Sequence, residues 1–366
     1  MSFIEDKDGW HGKALSKDEL PKALEELGEI DKNIIGKISE PEKVMSDELR
    51  VTGGGIKLTD YPKDKLVATR KAYGNALAIL VAADDSVVVL DAETSNSTFA
   101  DSVKKTHPEK FFEMYIAEQN MVGAALGFSR RGKIPFVSTF AAFFSRAFDQ
   151  IRMSQYAKAN IKFVGSHAGV SIGEDGASQM GLEEIAMFRT LLSSVVLYPS
   201  DAISTEKLVM EAAKHNGNVY IQTTRKDTPI LYPPDETFPI GGSKTLKFSD
   251  NDSATIIGAG VTLHEALAAY EELKKEGINI RIIDLYSVKP LDVEALKKAS
   301  AETKNIIVVE DNFAEGGIGE AVSSVVSNVH SLAVRKIPHS GKPEELLAYE
   351  EIDKNAIIRQ VKKLVG

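Results

Sequence analysis

The sequence predicts an α/β protein with two doubly wound, mostly parallel sheets, and three observations support this fold class. The strand-like segments are short, continuous apolar runs, as expected for strands that are buried on both faces. Segments with helical periodicity alternate with these runs, which is the pattern of a parallel sheet covered by helices. A segment rich in proline and glycine divides the pattern near residue 230 into a longer and a shorter part, which predicts two sheet domains.

Residues 1–64 precede this pattern and are predicted to hold one helix and a linker. Ser16 is followed three residues later by Glu19, which forms a capping box at the start of a helix, and Gly28 ends that helix. The polar stretch from about residue 37 to residue 64 has neither helical nor strand periodicity. We therefore expect this stretch to be a linker.

Residues 65–230 are predicted to form the longer α/β domain. Its six strands fall at residues 86–93, 111–118, 134–140, 161–166, 194–200 and 218–224. Its helices fall at residues 68–84, 97–108, 119–132, 146–159, 182–192 and 204–217. This alternation predicts a doubly wound parallel sheet.

Residues 231–366 are predicted to form a smaller domain of the same type. The proline-rich segment 226–242 leads into it. Its four strands fall at residues 253–260, 278–285, 305–311 and 331–337, and its helices at residues 262–277, 291–300 and 316–327.

The composition limits the possible functions. The chain of 366 residues is 43% hydrophobic and 27% charged, which is typical of a globular protein. A net charge of -9 argues against a nucleic-acid or anionic-membrane partner, since either would require a basic face. The sequence has no cysteine, which excludes disulfides and zinc–cysteine sites and suits a reducing cytoplasm. The polar N-terminus is not a signal peptide, and the apolar run 76–83 is too short to span a bilayer. We expect a soluble, cytoplasmic protein.

Candidate ligand-binding residues follow the strands, because ligands of open parallel sheets bind beyond the carboxyl ends of the strands. Glu118 suits either of two roles: an acid that favours the first turn of a helix, or a partly buried carboxyl that desolvation makes a proton donor to a ligand nitrogen. Phe140 and Phe143 lie at a strand-to-helix turn, where they either pack in the core or stack on a heterocycle.

Other candidates suit an anion. Arg70, Ser97, His167 and Arg225 each lie near the end of a strand or helix. The guanidinium group suits phosphate, although any one arginine also suits an ordinary surface position. His167 belongs to the glycine-rich loop 166–179, "SHAGVSIGEDGASQ", which also contains Asp175. Spacing along the chain does not decide whether these groups meet.

Several long motifs resemble the transketolase family, including "ATRKAYG", "YIAEQNMV", "STFAAFFSRAFDQIR", "GSHAGVSIGEDGASQM" and "EGGIGEAV". The resemblance extends from about residue 3 to the C-terminus. It implies an enzyme that uses thiamine diphosphate and a divalent cation to move a two-carbon ketol unit between sugar phosphates.

The resemblance assigns roles near the cofactor. Glu118 matches the glutamate that hydrogen-bonds the aminopyrimidine ring and promotes loss of the thiazolium C2 proton. Phe140 and Phe143 match the aromatic residues that hold this ring. His11 matches a loop histidine that stabilises or shuttles charge near the reacting carbonyl.

The resemblance also assigns roles near the substrate. Arg70, Ser97, His167 and Arg225 match the residues that bind the substrate's phosphate. Asp175 matches the acid that bonds the hydroxyl next to the reacting carbonyl. The glycines of the loop 166–179 would let its backbone pass close to the ligand.

One motif of the family is missing. Transketolases bind the diphosphate and the metal through Gly-Asp-Gly followed by asparagine, and this sequence contains no Gly-Asp-Gly. The chain therefore resembles a C-terminal portion: the tail of the diphosphate-binding domain and a linker (1–64), the pyrimidine-binding domain (65–230) and the C-terminal domain (231–366). We expect no metal ligands here, so that Mg²⁺ or Ca²⁺ comes from an N-terminal transketolase subunit or domain. This predicts a split gene or a truncated chain, a dimer, and a heterotetramer when assembled.

Three alternatives remain. The β-type subunit of a 2-oxo acid dehydrogenase and deoxyxylulose-phosphate synthase share the domain layout, but neither is expected to carry the loop 166–179 with both His167 and Asp175. A non-catalytic assembly module is the third alternative. Such a module has no need of a buried acid and a cluster of anion-binding groups.

Overall fold

A computed structural model describes residues 1–7, 10, 14–29, 31–33, 36 and 57–365. The chain divides into two compact units, Met1–Met45 and Ser46–Gly366. In the first unit, helix α1 spans Glu19–Leu27. The predicted capping box is present: the Ser16 N–H donates to Glu19 Oε2 over 2.8 Å, and the Glu19 N–H donates to Ser16 Oγ over 3.2 Å. Gly28 follows the helix with a φ of 69°, which only glycine adopts readily.

The second unit contains the remaining helices and strands. The strands are β1 Leu66–Ala68, β2 Val87–Asp91, β3 Phe111–Glu113, β4 Ile134–Phe140, β5 Lys162–Ser166, β6 Val195–Leu197, β7 Val219–Gln222, β8 Asp227–Pro229, β9 Lys244–Lys247, β10 Ala254–Gly258, β11 Ile280–Asp284, β12 Ser287–Lys289, β13 Ile306–Phe313 and β14 Val329–Val334. The helices are α2 Thr69–Ala83, α3 Ser95–Thr98, α4 Asp101–Thr106, α5 Glu118–Arg130, α6 Phe148–Tyr156, α7 Glu184–Arg189, α8 Ala202–Lys214, α9 Val261–Lys275, α10 Val293–Thr303, α11 Ile318–Ser323, α12 Pro343–Tyr349 and α13 Lys354–Val365. Short 3₁₀ turns span Pro108–Lys110, Ala141–Ala147, Val170–Ile172 and Ala177–Gln179.

The larger sheet has the strand order β12-β6-β7-β5-β4-β2-β3. Six of its strands are the six predicted for residues 65–230, and they pair in parallel. The seventh strand, β12, lies in the later part of the chain and pairs antiparallel with β6. The predicted fold class, a mostly parallel α/β architecture, is confirmed.

The smaller sheet has the order β14-β13-β10-β11-β9, in which only β9 is antiparallel to its neighbour. Its four parallel strands are the four predicted for residues 231–366. A separate two-stranded sheet pairs β1 with β8, so that Leu66 lies opposite Pro229.

Two predicted elements differ from the structure for a local reason. The strand predicted at residues 111–118 ends at Glu113, because Tyr115 has a φ of 55° and leaves the extended conformation. The helix predicted at residues 97–108 is divided into α3 and α4 by Phe99, which is left-handed with a φ of 63°. A left-handed residue cannot continue a right-handed helix.

The two sheets share a hydrophobic core. A single cluster joins Phe163 and Tyr220 of the larger sheet to Ile257, Ile283 and Val308 of the smaller one. Burying one isoleucine or valine side chain in such a cluster contributes roughly 1.5–3 kcal/mol to the free energy of unfolding. This packing holds the end of β5 next to strand β13, which brings the smaller sheet to the candidate site.

Candidate active site

The loop that follows β5 has a backbone that glycine makes possible. Gly169, Gly173 and Gly176 have φ values of 81°, 84° and 85°, which are strained for any residue with a Cβ atom. His167 is also left-handed, with a φ of 56°. These turns fold the loop back over the carboxyl end of the larger sheet and bury the imidazole of His167.

The buried imidazole lies between charged groups. Its Nδ1 lies 2.9 Å from Ser166 Oγ, and its Nε2 lies 3.5 Å from Arg70 Nη1 and 3.9 Å from Asp175 Oδ2. Burial, and then the positive charges of Arg70 and Arg225, lower the pKa of His167 to about 3. The imidazole is therefore neutral near pH 7 and offers one N–H to a ligand.

Two arginines flank this histidine. Arg70 Nη1 donates to the carbonyl oxygen of Ser97 over 2.8 Å, so α2 and α3 meet here. Arg225 Nη1 lies 3.0 Å from Asp175 Oδ1. Burial, followed by the charge of Arg225, lowers the pKa of Arg70. The two guanidinium groups thus repel each other, and an anion placed between them would relieve that repulsion. The structure brings together Arg70, His167, Asp175 and Arg225, and Ser97 joins them through its backbone carbonyl oxygen.

The aromatic residues connect this cluster to the other half of the site. Phe140 ends β4, and Phe143 lies in the following 3₁₀ turn. Their rings stack with centroids 5.3 Å apart and an angle of 14°. The ring of Phe140 also stacks on the imidazole of His167, with centroids 3.8 Å apart and an angle of 19°. Phe140 therefore contacts both the second aromatic ring and the anion cluster.

Glu118 is the first residue of α5, and its side chain is 3% exposed. Its Oε2 lies 2.8 Å from Nη1 of Arg146, which belongs to the same 3₁₀ turn as Phe143. The contact lacks hydrogen-bond geometry, and no other donor of the described residues bonds this oxygen. A buried carboxylate oxygen with unused acceptor capacity is chemically suited to a ligand nitrogen that can carry a proton.

Two residues that contact or support the candidate site were missed by the sequence analysis. Arg146 had no signal, because it was predicted as the first residue of the helix 146–159, where an arginine is an ordinary surface residue. Asp91 at the end of β2 accepts from the Thr94 N–H over 2.6 Å and from Thr98 Oγ1 over 2.7 Å, and so holds the short helix that carries Ser97. Burial raises the pKa of Asp91 to about 7. The sequence did contain a signal for Asp91, namely an acidic residue at the end of an apolar strand.

The remaining expectations concern groups outside this cluster. His11 lies outside the described residues. Within the described part of the chain, no group of three or more acidic or histidine side chains is arranged to hold a metal ion. No helix among the described residues has the length and apolar character needed to cross a membrane.

Comparison with known proteins gives the family. A model described as the transketolase pyrimidine-binding domain matches residues 65–230, and one described as the transketolase C-terminal domain matches residues 243–357. A solved structure described as a split-gene transketolase in an inactive β4 tetramer is 38% identical, with a TM-score of 0.74, and the match covers 82% of this chain and 98% of that one. The chain belongs to the transketolase family.

Curated transketolases and transketolase-like proteins match almost the whole chain. Human transketolase is 48% identical over 380 residues, which cover 100% of this chain and 60% of the human protein. Transketolase-like protein 1 of Bos taurus is 49% identical over 375 residues, which cover 99% of this chain and 62% of that protein. The chain thus spans about 60% of the length of these relatives. The transketolase of Campylobacter jejuni shares the fold at 19% identity and a TM-score of 0.74.

The position of the site within the transketolase matches is informative. All the candidate residues described above, from Arg70 to Arg225, fall in the region that matches the pyrimidine-binding domain. A domain of this kind marks a family that uses thiamine diphosphate.

Proposed function

We propose that this chain forms the pyrimidine and sugar-phosphate side of a transketolase. In this proposal it transfers a two-carbon ketol unit from a ketose phosphate to an aldose phosphate in the cytoplasm. The observation that carries the proposal is the convergence of Arg70, His167, Asp175 and Arg225 beside the stacked ring of Phe140. Two guanidinium groups and a neutral imidazole suit a phosphate, and the neighbouring carboxylate suits a hydroxyl.

The aromatic half of the site is proposed to hold the cofactor. Glu118 shares a hydrogen-bonded proton with a ring nitrogen of the aminopyrimidine of thiamine diphosphate, and Phe140 and Phe143 hold the same ring through aromatic contacts. Thiamine diphosphate, when bound, would supply an acidic carbon, C2, that becomes nucleophilic toward the ketose carbonyl once its proton is lost. Arg146 competes for Glu118 in the structure, and its exposed side chain is free to turn outward when the ring binds.

The other half is proposed to bind the substrate. Arg70, Arg225, the Ser97 hydroxyl and the neutral His167 donate to the phosphate. Asp175 accepts from the hydroxyl next to the reacting carbonyl, and His11 acts near that carbonyl. Because the anion site and the aromatic rings meet at Phe140, a sugar held by its phosphate extends toward the cofactor ring.

The rest of the site is proposed to come from an N-terminal transketolase subunit or domain. That partner would hold the diphosphate and Mg²⁺ or Ca²⁺, and the chain would self-associate into a dimer and form a heterotetramer with the partner. The similarity to a split-gene transketolase, whose tetramer of β chains is described as inactive, supports this requirement.

The test reconstitutes the enzyme. The purified chain is assayed for ketol transfer from fructose 6-phosphate to an added aldose phosphate in the presence of thiamine diphosphate and Mg²⁺, with and without the N-terminal portion. We expect activity only with the partner. Robust transfer by the chain alone would refute the partner requirement, and turnover of pyruvate instead would favour a 2-oxo acid dehydrogenase subunit. A complex that neither binds sugar phosphate nor transfers a ketol unit would favour an assembly module.

A second experiment tests the role of Glu118. In the assembled enzyme, Glu118→Ala should abolish the exchange of the cofactor's C2 proton, because the buried carboxylate that bonds the ring is lost. Glu109→Ala removes an exposed acid from the turn Pro108–Lys110 and should leave this exchange unchanged. Normal C2 exchange in Glu118→Ala would remove Glu118 from its proposed role.

A further inference from the structure

The substrate loop is attached to the smaller sheet by a buried carboxylate. Asp311 belongs to β13, and its side chain is fully buried. Its Oδ1 accepts from the Val170 N–H over 2.7 Å, and its Oδ2 accepts from the Ser171 N–H over 3.2 Å. Both oxygens thus bond successive backbone amides of the loop that follows β5. Val170 and Ser171 precede Asp311 by 141 and 140 positions in the sequence.

The glycines of the loop make this approach possible. A Cβ atom on Gly169 would lie 2.1 Å from Asp311 Oδ2, which is far inside van der Waals contact. A Cβ atom on Gly173 would lie 3.0 Å from Pro343 Cδ, and one on Gly176 would lie 2.7 Å from Ser340 Oγ. All three left-handed glycines of the loop therefore face residues of the C-terminal part of the chain.

The attachment continues from the loop to the anion cluster. Val170 and Ser171 form the 3₁₀ turn that ends at Ile172. The Ile172 carbonyl oxygen accepts from Arg225 Nη1 over 3.0 Å, and the same nitrogen lies 3.0 Å from Asp175 Oδ1. The two N–H bonds of Asp311 thus set the position of the carbonyl that orients Arg225.

We propose that Asp311 is a positioning residue for the phosphate-binding cluster: from the smaller sheet it fixes the 3₁₀ turn whose carbonyl aligns Arg225 with Asp175. The proposal rests on the proposed function of that cluster. A carboxylate suits this position because it offers two acceptors to two N–H donors, whereas an isosteric amide offers one acceptor and turns an N–H₂ group toward the other donor. Substrate affinity therefore depends on a residue that touches no substrate.

The matched control is Asp284, which ends strand β11 of the same sheet. Asp284 is also fully buried, and it accepts from Ser200 Oγ over 2.8 Å and from Tyr232 OH over 2.5 Å. Burial raises the pKa of both Asp284 and Asp311 to about 7. Since Asp284 bonds no residue of the loop 166–179 in the described structure, Asp284→Asn removes an equivalent buried carboxylate without releasing the loop.

The first experiment measures the loop itself. Hydrogen exchange of the peptide covering residues 169–175 is followed by mass spectrometry in the 366-residue chain. Asp311→Asn should exchange at least tenfold faster there, and Asp284→Asn should match wild type. Gly169→Ala, which disturbs the same contact from the loop side and leaves the sheet intact, should also accelerate exchange. Unchanged exchange in both Asp311→Asn and Gly169→Ala would overturn the proposal, whatever the catalytic activity of the chain.

The second experiment measures affinity. Calorimetric titration with inorganic phosphate and with fructose 6-phosphate should show at least tenfold weaker binding for Asp311→Asn and near wild-type binding for Asp284→Asn. In the assembled enzyme, Asp311→Asn should raise KM for fructose 6-phosphate about tenfold and change kcat less than twofold. Equal affinities and KM values for wild type and Asp311→Asn would overturn the positioning role. Failure of wild type to bind either ligand would instead contradict the proposed phosphate site, while the exchange measurement would still decide the attachment.

Discussion

Acid should unfold this chain more readily than a variant in which His167 is replaced by glutamine. In the folded chain, burial and the charges of Arg70 and Arg225 lower the pKa of His167 from 6.5 to about 3. In the unfolded chain His167 has its ordinary pKa, so between the two pKa values the unfolded chain binds a proton that the folded chain does not bind. Stability contributed by the neutral imidazole is therefore present above pH 6.5 and is lost as the pH falls toward 3.

The magnitude follows from the linkage between proton binding and folding. Each unit of pH below the unfolded pKa costs about 1.4 kcal/mol until the folded pKa is reached. Between about pH 7.5 and about pH 5, His167 should lower the free energy of unfolding by about 2 kcal/mol. His167→Gln retains a side chain that can donate a hydrogen bond but removes this proton-linked loss.

The assay is urea denaturation followed by circular dichroism at the two pH values. For wild type and for His167→Gln, the change in the free energy of unfolding between the two pH values is measured. The difference between these two changes removes the contributions of the other titrating groups, which both proteins share. We expect a difference of about 2 kcal/mol, and a smaller one in an Arg225→Met background, where one of the two cations is absent. Identical pH dependence in wild type and His167→Gln would refute the assignment of a buried, neutral imidazole between two guanidinium groups.

Two further predictions concern buried ionisable side chains outside the substrate cluster. Glu184 is fully buried and accepts from Asn312 Nδ2 over 2.9 Å, and burial raises its pKa from 4.5 to about 8. The stability that protonated Glu184 contributes is present below pH 4.5 and is lost as the pH rises through 8. Glu184→Gln should therefore raise the free energy of unfolding, relative to wild type, by about 4 kcal/mol more at about pH 9 than at about pH 5. An equal effect of the substitution at both pH values would contradict this. Buried Lys162 donates to Asn160 Oδ1 and to two backbone carbonyls. Lys162→Met should lower the free energy of unfolding by about 3 kcal/mol, because three acceptors lose their donor. The control Lys158→Met, at an exposed position, should change it by less than about 0.5 kcal/mol.

Local sequence patterns predicted most of the secondary structure. The continuous apolar runs identified the parallel strands of both sheets, because a strand buried on two faces has no alternating pattern. The capping box at Ser16 and Glu19 marked the start of α1 because that signal is contained in four residues. The short strand β12 was not predicted, since its three residues join a sheet built from an earlier part of the chain.

The candidate site was predictable only in part. The residue types after the strands pointed to the correct edge of the sheet, but the approach of His167 to Arg70 spans 97 positions in the sequence and depends on how the strands are ordered. Asp311 carried no signal, because its partners are backbone amides of a loop on a different sheet. Contacts of this kind are set by packing between domains, which local patterns do not encode.

The central proposal is that Glu118, Phe140 and Phe143 hold the aminopyrimidine of thiamine diphosphate while an N-terminal transketolase portion holds its diphosphate. A crystal structure of the chain assembled with the N-terminal portion and thiamine diphosphate tests it directly. The account predicts a Glu118 carboxylate oxygen within hydrogen-bonding distance, about 2.6–3.2 Å, of a pyrimidine ring nitrogen. A pyrimidine ring bound away from Glu118, with the carboxylate still paired to Arg146, would contradict it.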